Sequence, residues 1–351
     1  MKYTSIMIAI LIYVTKVIQA VDLEDDNLLK YTHFVVIPGQ DGYGKKADNP
    51  LQHIIDTTQF PSENIHYVNT PIATKNSFFT YADFGQYNCQ YPLSLLMEQL
   101  DSNDSVKRII VYAISQGTAT ATNYFKSHQH PKVKALIYEG VMASGNSAIS
   151  HYGRNKINIR IGGIKIPVGK WFSWTPGSFY TMPYIVSSVV YPWYSIGGQQ
   201  AIQSLHQMPN ETPFILVHSK EDQILSHDDA VVFYTGLKDA GNPNVHLLTS
   251  NKATHVDLFK PDEDQDKEAQ RKSYIQTIHH ILRNKGLELP QLSHLKHTSI
   301  IDLTETQPEG DMNLLNHYLG RENAARIFNR TLIAHAIFGI TYYLLGRERC
   351  S

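Results

Sequence analysis

The chain has 351 residues, 31 lysines and arginines against 32 aspartates and glutamates, and a net charge of −1. The length supports one large α/β domain with an excursion, and near-neutrality without a block of like charges argues against a nucleic-acid partner. Only Cys89 and Cys350 are present, so one bridge at most is available and neither a disulfide framework nor a Cys-rich zinc site is written here.

The first twenty residues carry Lys2, an uncharged run that is apolar mainly from Ile6 to Val14, and Ala20 ahead of the acidic patch Asp22 to Asp26. This pattern predicts a signal peptide at 1–20 and an exported protein, secreted or periplasmic. An uncleaved anchor and a buried N-terminal helix are the alternatives. Export would give meaning to the sequons at Asn103, Asn210 and Asn329 in a host that glycosylates.

From Tyr31 to Glu139, apolar strands alternate with helical stretches. Strands are expected at Phe34 to Ile37, Ile65 to Val68, Ile109 to Ile114 and Ala135 to Tyr138, with helical stretches at Leu51 to Ile55 and Leu93 to Leu100. Such alternation predicts a mostly parallel sheet covered by helices on both faces. The third strand runs straight into Ser115, followed by Gln116, Gly117 and a helix of small residues, Thr118 to Ala121. A serine on a sharp strand-to-helix turn needs small neighbours two positions away, and Ala113 and Gly117 supply them. The Gln116 amide would lie at the helix N-terminus, where unpaired N–H groups favour a developing oxyanion. An ordinary Ser-Gln-Gly turn after a buried strand is the plainer alternative.

The alternation breaks after Gly140. Residues 144–197 are rich in Gly, Ser, Tyr and Pro and hold all three tryptophans, Trp171, Trp174 and Trp193. Within them, Ile157 to Ile161 and Ile164 to Pro167 flank Gly162-Gly163 as a two-residue-loop hairpin. The strand pattern resumes at Phe214 to Val217, followed by a polar turn with Asp222 and, as a rival acid, Glu221. Ser226 with Asp229 three residues on resembles a capping box, opening a helix that Gly241 can stop. A strand from Asn244 then leads to a loop with His255, one of 17 histidines. His227-Asp228-Asp229 reads as a helix N-terminal turn rather than a metal site.

Strand, Ser115, strand, Asp222, helix, strand, His255 resembles the α/β-hydrolase superfamily over about residues 30 to 285. The resemblance implies Ser115 as nucleophile, His255 as general base and then acid, and Asp222 as the group that orients His255. It also implies an oxyanion loop after the first strand, where Pro38-Gly39 stand and a backbone N–H near Gln40 would join that of Gln116. The implied architecture is an α/β-hydrolase domain at 21–286 with a cap inserted at about 144–197. In such a cap the tryptophans would roof an acyl chain or aromatic group, build the cap's own core, or do both.

The implied activity is a serine hydrolase acting on carboxylic esters through an acyl-enzyme, with lipid-like or aromatic esters favoured and neither metal nor organic cofactor required. A peptidase or amidase with the same triad, and a silent hydrolase fold used for binding, remain the alternatives. The remaining residues, 287–351, predict a C-terminal helical extension, helical over Asp311 to Leu319 and Arg321 to Leu345. Its stretch from Thr331 to Gly346 carries no Lys, Arg, Asp or Glu, which suggests packing on the body or a partner first and peripheral membrane contact second.

Overall fold

A computed structural model of the chain describes residues 30–39, 61–69, 85, 89–156, 159–161, 164–166, 200–251, 253–257, 264–284, 286–287 and 310–348. The expected leader at 1–20, Gln40, the stretch Leu51 to Ile55, Trp171, Trp174, Trp193 and Cys350 lie outside the described residues.

In chain order the elements are strand β1 (Thr32–Ile37), strand β2 (Ile65–Tyr67), helix α1 (Gln90–Ser102), strand β3 (Arg108–Ile114), helix α2 (Gln116–Phe125) and strand β4 (Val133–Glu139). Helix α3 (Gly145–Lys156) and the short strands β5 (Ile159–Ile161) and β6 (Ile164–Ile166) follow, then a 3-10 segment at Ala201–Gln207. Strand β7 (Phe214–Ser219), helix α4 (His227–Asp239), strand β8 (Val245–Ser250), helix α5 (Gln265–Asn284) and helix α6 (Met312–Glu348) complete the described chain.

Six strands form one sheet in the order β2-β1-β3-β4-β7-β8, with every neighbouring pair parallel. The expected mostly parallel sheet is thus wholly parallel among the described residues. Parallel strands covered on both faces read as continuous apolar runs, and here alternate residues of each run feed two separate cores. Val35, Ile37, Val111, Ala113, Leu136, Tyr138 and Leu216 pack with α1, α2 and α4. Phe34, Val36, Ile110, Tyr112, Ile137, Ile215 and Val217 pack instead with Tyr274, Ile275, Ile278 and Leu282 of α5. Each such large apolar side chain contributes roughly 1.5–3 kcal/mol on burial.

The small hairpin is antiparallel with Ile159 opposite Ile166 and Ile161 opposite Ile164. Helix α4 closes in a Schellman motif, in which the Asn242 N–H donates to the Leu237 carbonyl and the Gly241 N–H to the Lys238 carbonyl.

Two expectations are corrected. Within the C-terminal extension, Met312–Glu348 is one continuous helix, not two segments meeting at Gly320. A mid-helix glycine costs only about 1 kcal/mol, which the good helix formers on either side offset. Its first turns dock on the body through Leu315, Tyr318 and Glu322, whereas Ile327, Ile337 and Phe338 stand exposed. No helix among the described residues is long and apolar enough to cross a membrane.

The capping box is the second correction. Ser226 does cap α4, accepting the Asp228 N–H, but Asp229 turns inward instead of back to Ser226. Its carboxylate accepts from the Ala143 N–H (3.2 Å), Ser147 (2.5 Å) and Tyr318 (3.2 Å). Four residues on from Tyr318, buried Glu322 accepts from Ser144 (2.6 Å) and Asn146 (2.7 Å). The two carboxyls therefore fasten α6 to the start of α3. Burial pushes Asp229 up to about 7 and moves Glu322 upward as well, against the pull of those hydrogen bonds.

Candidate active site

The carboxyl edge of the sheet carries Ser115 after β3, Asp222 after β7 and His255 after β8. Ser115 has φ 53° and ψ −121°, a conformation strained for any L-residue with a Cβ. Among the described residues only one other non-glycine has a positive φ, Val256 at 49°, directly after His255. Among the described residues, left-handed non-glycine backbone thus occurs only at Ser115 and beside His255. The Ser115 N–H donates to the Glu139 carbonyl (2.8 Å), which anchors the turn to β4.

The small residues around Ser115 are required by close approach. A Cβ on Gly117 would lie 2.3 Å from the Ile37 carbonyl oxygen, because α2 begins directly against the end of β1. Thr118 does more than allow this proximity. Its hydroxyl donates to the Ser115 carbonyl (2.7 Å) and accepts from the Met142 N–H (2.9 Å), so the turn is tied to the chain leaving β4.

Ser115 Oγ lies 3.0 Å from His255 Nε2, and His255 Nδ1 lies 2.7 Å from Asp222 Oδ2. The other carboxylate oxygen of Asp222 accepts the N–H groups of Ile224 (2.8 Å) and Leu225 (3.0 Å). Burial alone would raise this carboxyl, but the His255 hydrogen bond and charge, together with the backbone amide of Leu225, hold it below the usual carboxylate range. Of the two rival acids, Asp222 is buried and bonded to His255, while Glu221 is exposed. His227, Asp228 and Asp229 diverge: His227 Nε2 reaches Thr249 Oγ1 (3.1 Å), and Asp229 enters the buried network already described.

Beneath the His255 ring runs Gly140, with φ 62°, and a Cβ there would stand 3.3 Å from His255 Cε1. Gln116 is the first residue of α2, where no preceding turn of helix can reach its N–H. A Cβ on Gly39 would fall 3.1 Å from Ser115 Cβ, so the backbone leaving β1 passes over the serine. Gln40, the expected second oxyanion donor, and the three tryptophans lie outside the described residues.

One neighbour of the site was missed from the sequence. His218, in β7 and four residues before Asp222, is fully buried, with Nε2 3.5 Å from Asp222 Oδ2 and 3.4 Å from the Leu225 carbonyl. A titratable residue inside an otherwise apolar strand, one helical turn's count before the acid, was the available signal.

No protein-family model matches the chain, and no curated protein sequence matches it. Among solved structures, an esterase of Pyrococcus furiosus, Pf2001, superposes with a TM-score of 0.48 at 15% identity, over 74% of this chain and 82% of that one. An acylaminoacyl peptidase of Pyrococcus horikoshii gives 0.46 at 18%, over 79% of this chain and 39% of the peptidase. Est1E from Butyrivibrio proteoclasticus gives 0.40 at 13%, over 71% of this chain and 89% of that one. Those likenesses are too slight to carry chemistry. The chain's own wholly parallel sheet, its flanking helices and its strand-to-helix serine turn make the fold that of an α/β hydrolase.

Proposed function

We propose that this α/β-hydrolase-fold chain is a serine hydrolase that cleaves carboxylic esters through an acyl-enzyme. The observation that carries the reading is the continuous relay from Ser115 Oγ through His255 to Asp222, at 3.0 and 2.7 Å, on a strained turn at the sheet's carboxyl edge.

A serine hydroxyl is a weak nucleophile until a neutral imidazole takes its proton. As Ser115 Oγ bonds to the ester carbonyl carbon, its proton passes to His255 Nε2, and the carbonyl oxygen becomes an oxyanion facing the Gln116 N–H and the loop after β1. Asp222 holds His255 with Nδ1–H toward itself and stabilises the imidazolium. Collapse expels the alcohol, which takes the proton from His255, and leaves the acyl group on Ser115. Water then repeats the sequence, giving up a proton to His255 and releasing the acid while Ser115 recovers its hydrogen.

A panel of p-nitrophenyl esters set beside aminoacyl anilides tests the bond class. Ester turnover that dominates is the expected result, and anilide turnover that dominates would make the chain a peptidase or amidase. The tryptophan-rich segment favours lipid-like or aromatic acyl groups. If those rings roof the acyl chain, Trp171→Ala, Trp174→Ala or Trp193→Ala should penalise long acyl chains more than short ones. Parallel chain-length profiles in all three would remove the roof.

The reading extends to an exported enzyme, on the pattern of residues 1–20, with the mature chain beginning at Val21. An intact Met1 on soluble protein from the native host would overturn that. The uncharged stretch of α6, with Ile337 and Phe338 exposed, supports peripheral membrane contact, which co-sedimentation with vesicles tests.

A further inference from the structure

The imidazole of His218 is fully buried, and its tautomer can be read from its neighbours. Nδ1 lies 3.0 Å from the Val141 nitrogen. A backbone amide only donates, so Nδ1 carries no proton and the ring's hydrogen sits on Nε2. That hydrogen points to the Leu225 carbonyl at 3.4 Å, and Asp222 Oδ2 stands beside it, 3.5 Å from Nε2.

We propose that His218 is a positioning residue for the acid of the relay: it holds the Val141 N–H with one ring nitrogen and presents the other to Asp222 and Leu225, fixing the carboxylate against His255. The inference rests on the Ser115–His255–Asp222 reading. It accounts for both sides of the acid. Asp222 Oδ1 is held by the amides of Ile224 and Leu225, and Oδ2, which receives His255, has His218 Nε2 3.5 Å away. The same ring grips the chain at Val141, next to Gly140 beneath the His255 ring. One side chain therefore couples the strand exit that supports the base to the turn that carries the acid.

A neutral donor suits this place better than a cation. A cation beside Asp222 would weaken the carboxylate's hold on the imidazolium that must form on His255. The groups facing His218 are Asp222, His255 and His227, the last ring standing edge-on with centroids 5.9 Å apart. Burial holds His218 down to about 4 against the opposing pull of Asp222, so the ring stays neutral where ester hydrolysis is measured.

The test compares His218→Leu and His218→Gln with the parent as full-length protein. Active sites are counted with a fluorophosphonate, and kcat and KM are followed against pH on a p-nitrophenyl ester. For His218→Leu we expect kcat to fall about tenfold with KM nearly unchanged. The acidic limb of kcat/KM should rise by roughly half a pH unit, because Asp222 loses the Nε2–H dipole that stands beside it and competes with His255 for its charge. His218→Gln, which keeps a donor, should recover most of both. Parental kcat and limb in His218→Leu would overturn the inference, as would a kcat loss with an unmoved limb.

Should His218→Leu fail to fold, the imidazole nitrogen spectrum of the parent decides. A neutral Nε2–H ring at pH 7 supports the inference, and an Nδ1–H ring or a cation overturns it. A folded parent with neither turnover nor labelling would bring down the triad reading and this inference with it. An active, labelled parent beside an unaffected His218→Leu would remove this inference alone.

Discussion

Gly117 stands so close to the end of β1 that a Cβ there would meet the Ile37 carbonyl oxygen at 2.3 Å, backbone against side chain. Gly117→Ala must push α2 off the strand and carry Ser115 and the Gln116 amide with it. The expected cost is roughly 2–4 kcal/mol of unfolding free energy together with a large loss of turnover. Gly320→Ala is the contrasting case, since nothing lies within 4 Å of its Cβ position on α6, and it should stabilise by about 1 kcal/mol. Denaturant unfolding of both variants checks the pair. A harmless Gly117→Ala would contradict the close packing of the turn.

Ser115→Ala and His255→Ala should each lower turnover by several orders of magnitude while the thermal midpoint moves little, because removing either leaves the buried core intact. Substantial turnover by purified Ser115→Ala would refute the assignment of the nucleophile.

Asp222→Asn should cost on the order of 10³–10⁴ in kcat, since an amide cannot both accept from His255 Nδ1–H and stabilise an imidazolium. Among the described residues the exposed Glu221 side chain makes no hydrogen bond to His255 or Ser115, and Glu221→Gln should stay within about threefold of the parent. The opposite ranking would move the orienting role to Glu221.

Asp229 predicts a pH dependence of stability. Its folded carboxyl is raised from 3.8 to about 7, so the stability it contributes is complete below pH 4 and is lost as pH rises toward 7. Asp229→Asn can keep the Ala143 N–H bonded and turn its NH₂ toward Ser147 and Tyr318. It should flatten the decline of Tm between about pH 4 and 7, with Glu322, raised in the same direction, supplying what remains. An Asn variant whose Tm falls as steeply as the parent's would contradict the buried-acid account.

The sheet and the serine turn were legible because their causes are local. A strand buried on both faces must be apolar throughout, and a strained serine must have Ala113 and Gly117 as neighbours. The family resemblance pointed to Asp222 with adjacent Glu221 as its rival, and in the structure Asp222 is the one that is buried and bonded to His255, while Glu221 is exposed. Asp229 misled because Ser226 and an acid three residues on do form a helix start in isolation. Its actual partners, Ser147 and Tyr318, come from elements distant in sequence. His218 stood out in its apolar strand, but its bond to Val141 comes from another strand's exit and could not be read from spacing.

The most direct test of the relay is covalent. Folded full-length protein should react with a fluorophosphonate, and peptide mass spectrometry should find the adduct on Ser115, with labelling abolished in Ser115→Ala and strongly slowed in His255→Ala. A folded parent that stays unlabelled, or an adduct on another residue, would contradict the assignment of Ser115 as a nucleophile driven by His255 and Asp222.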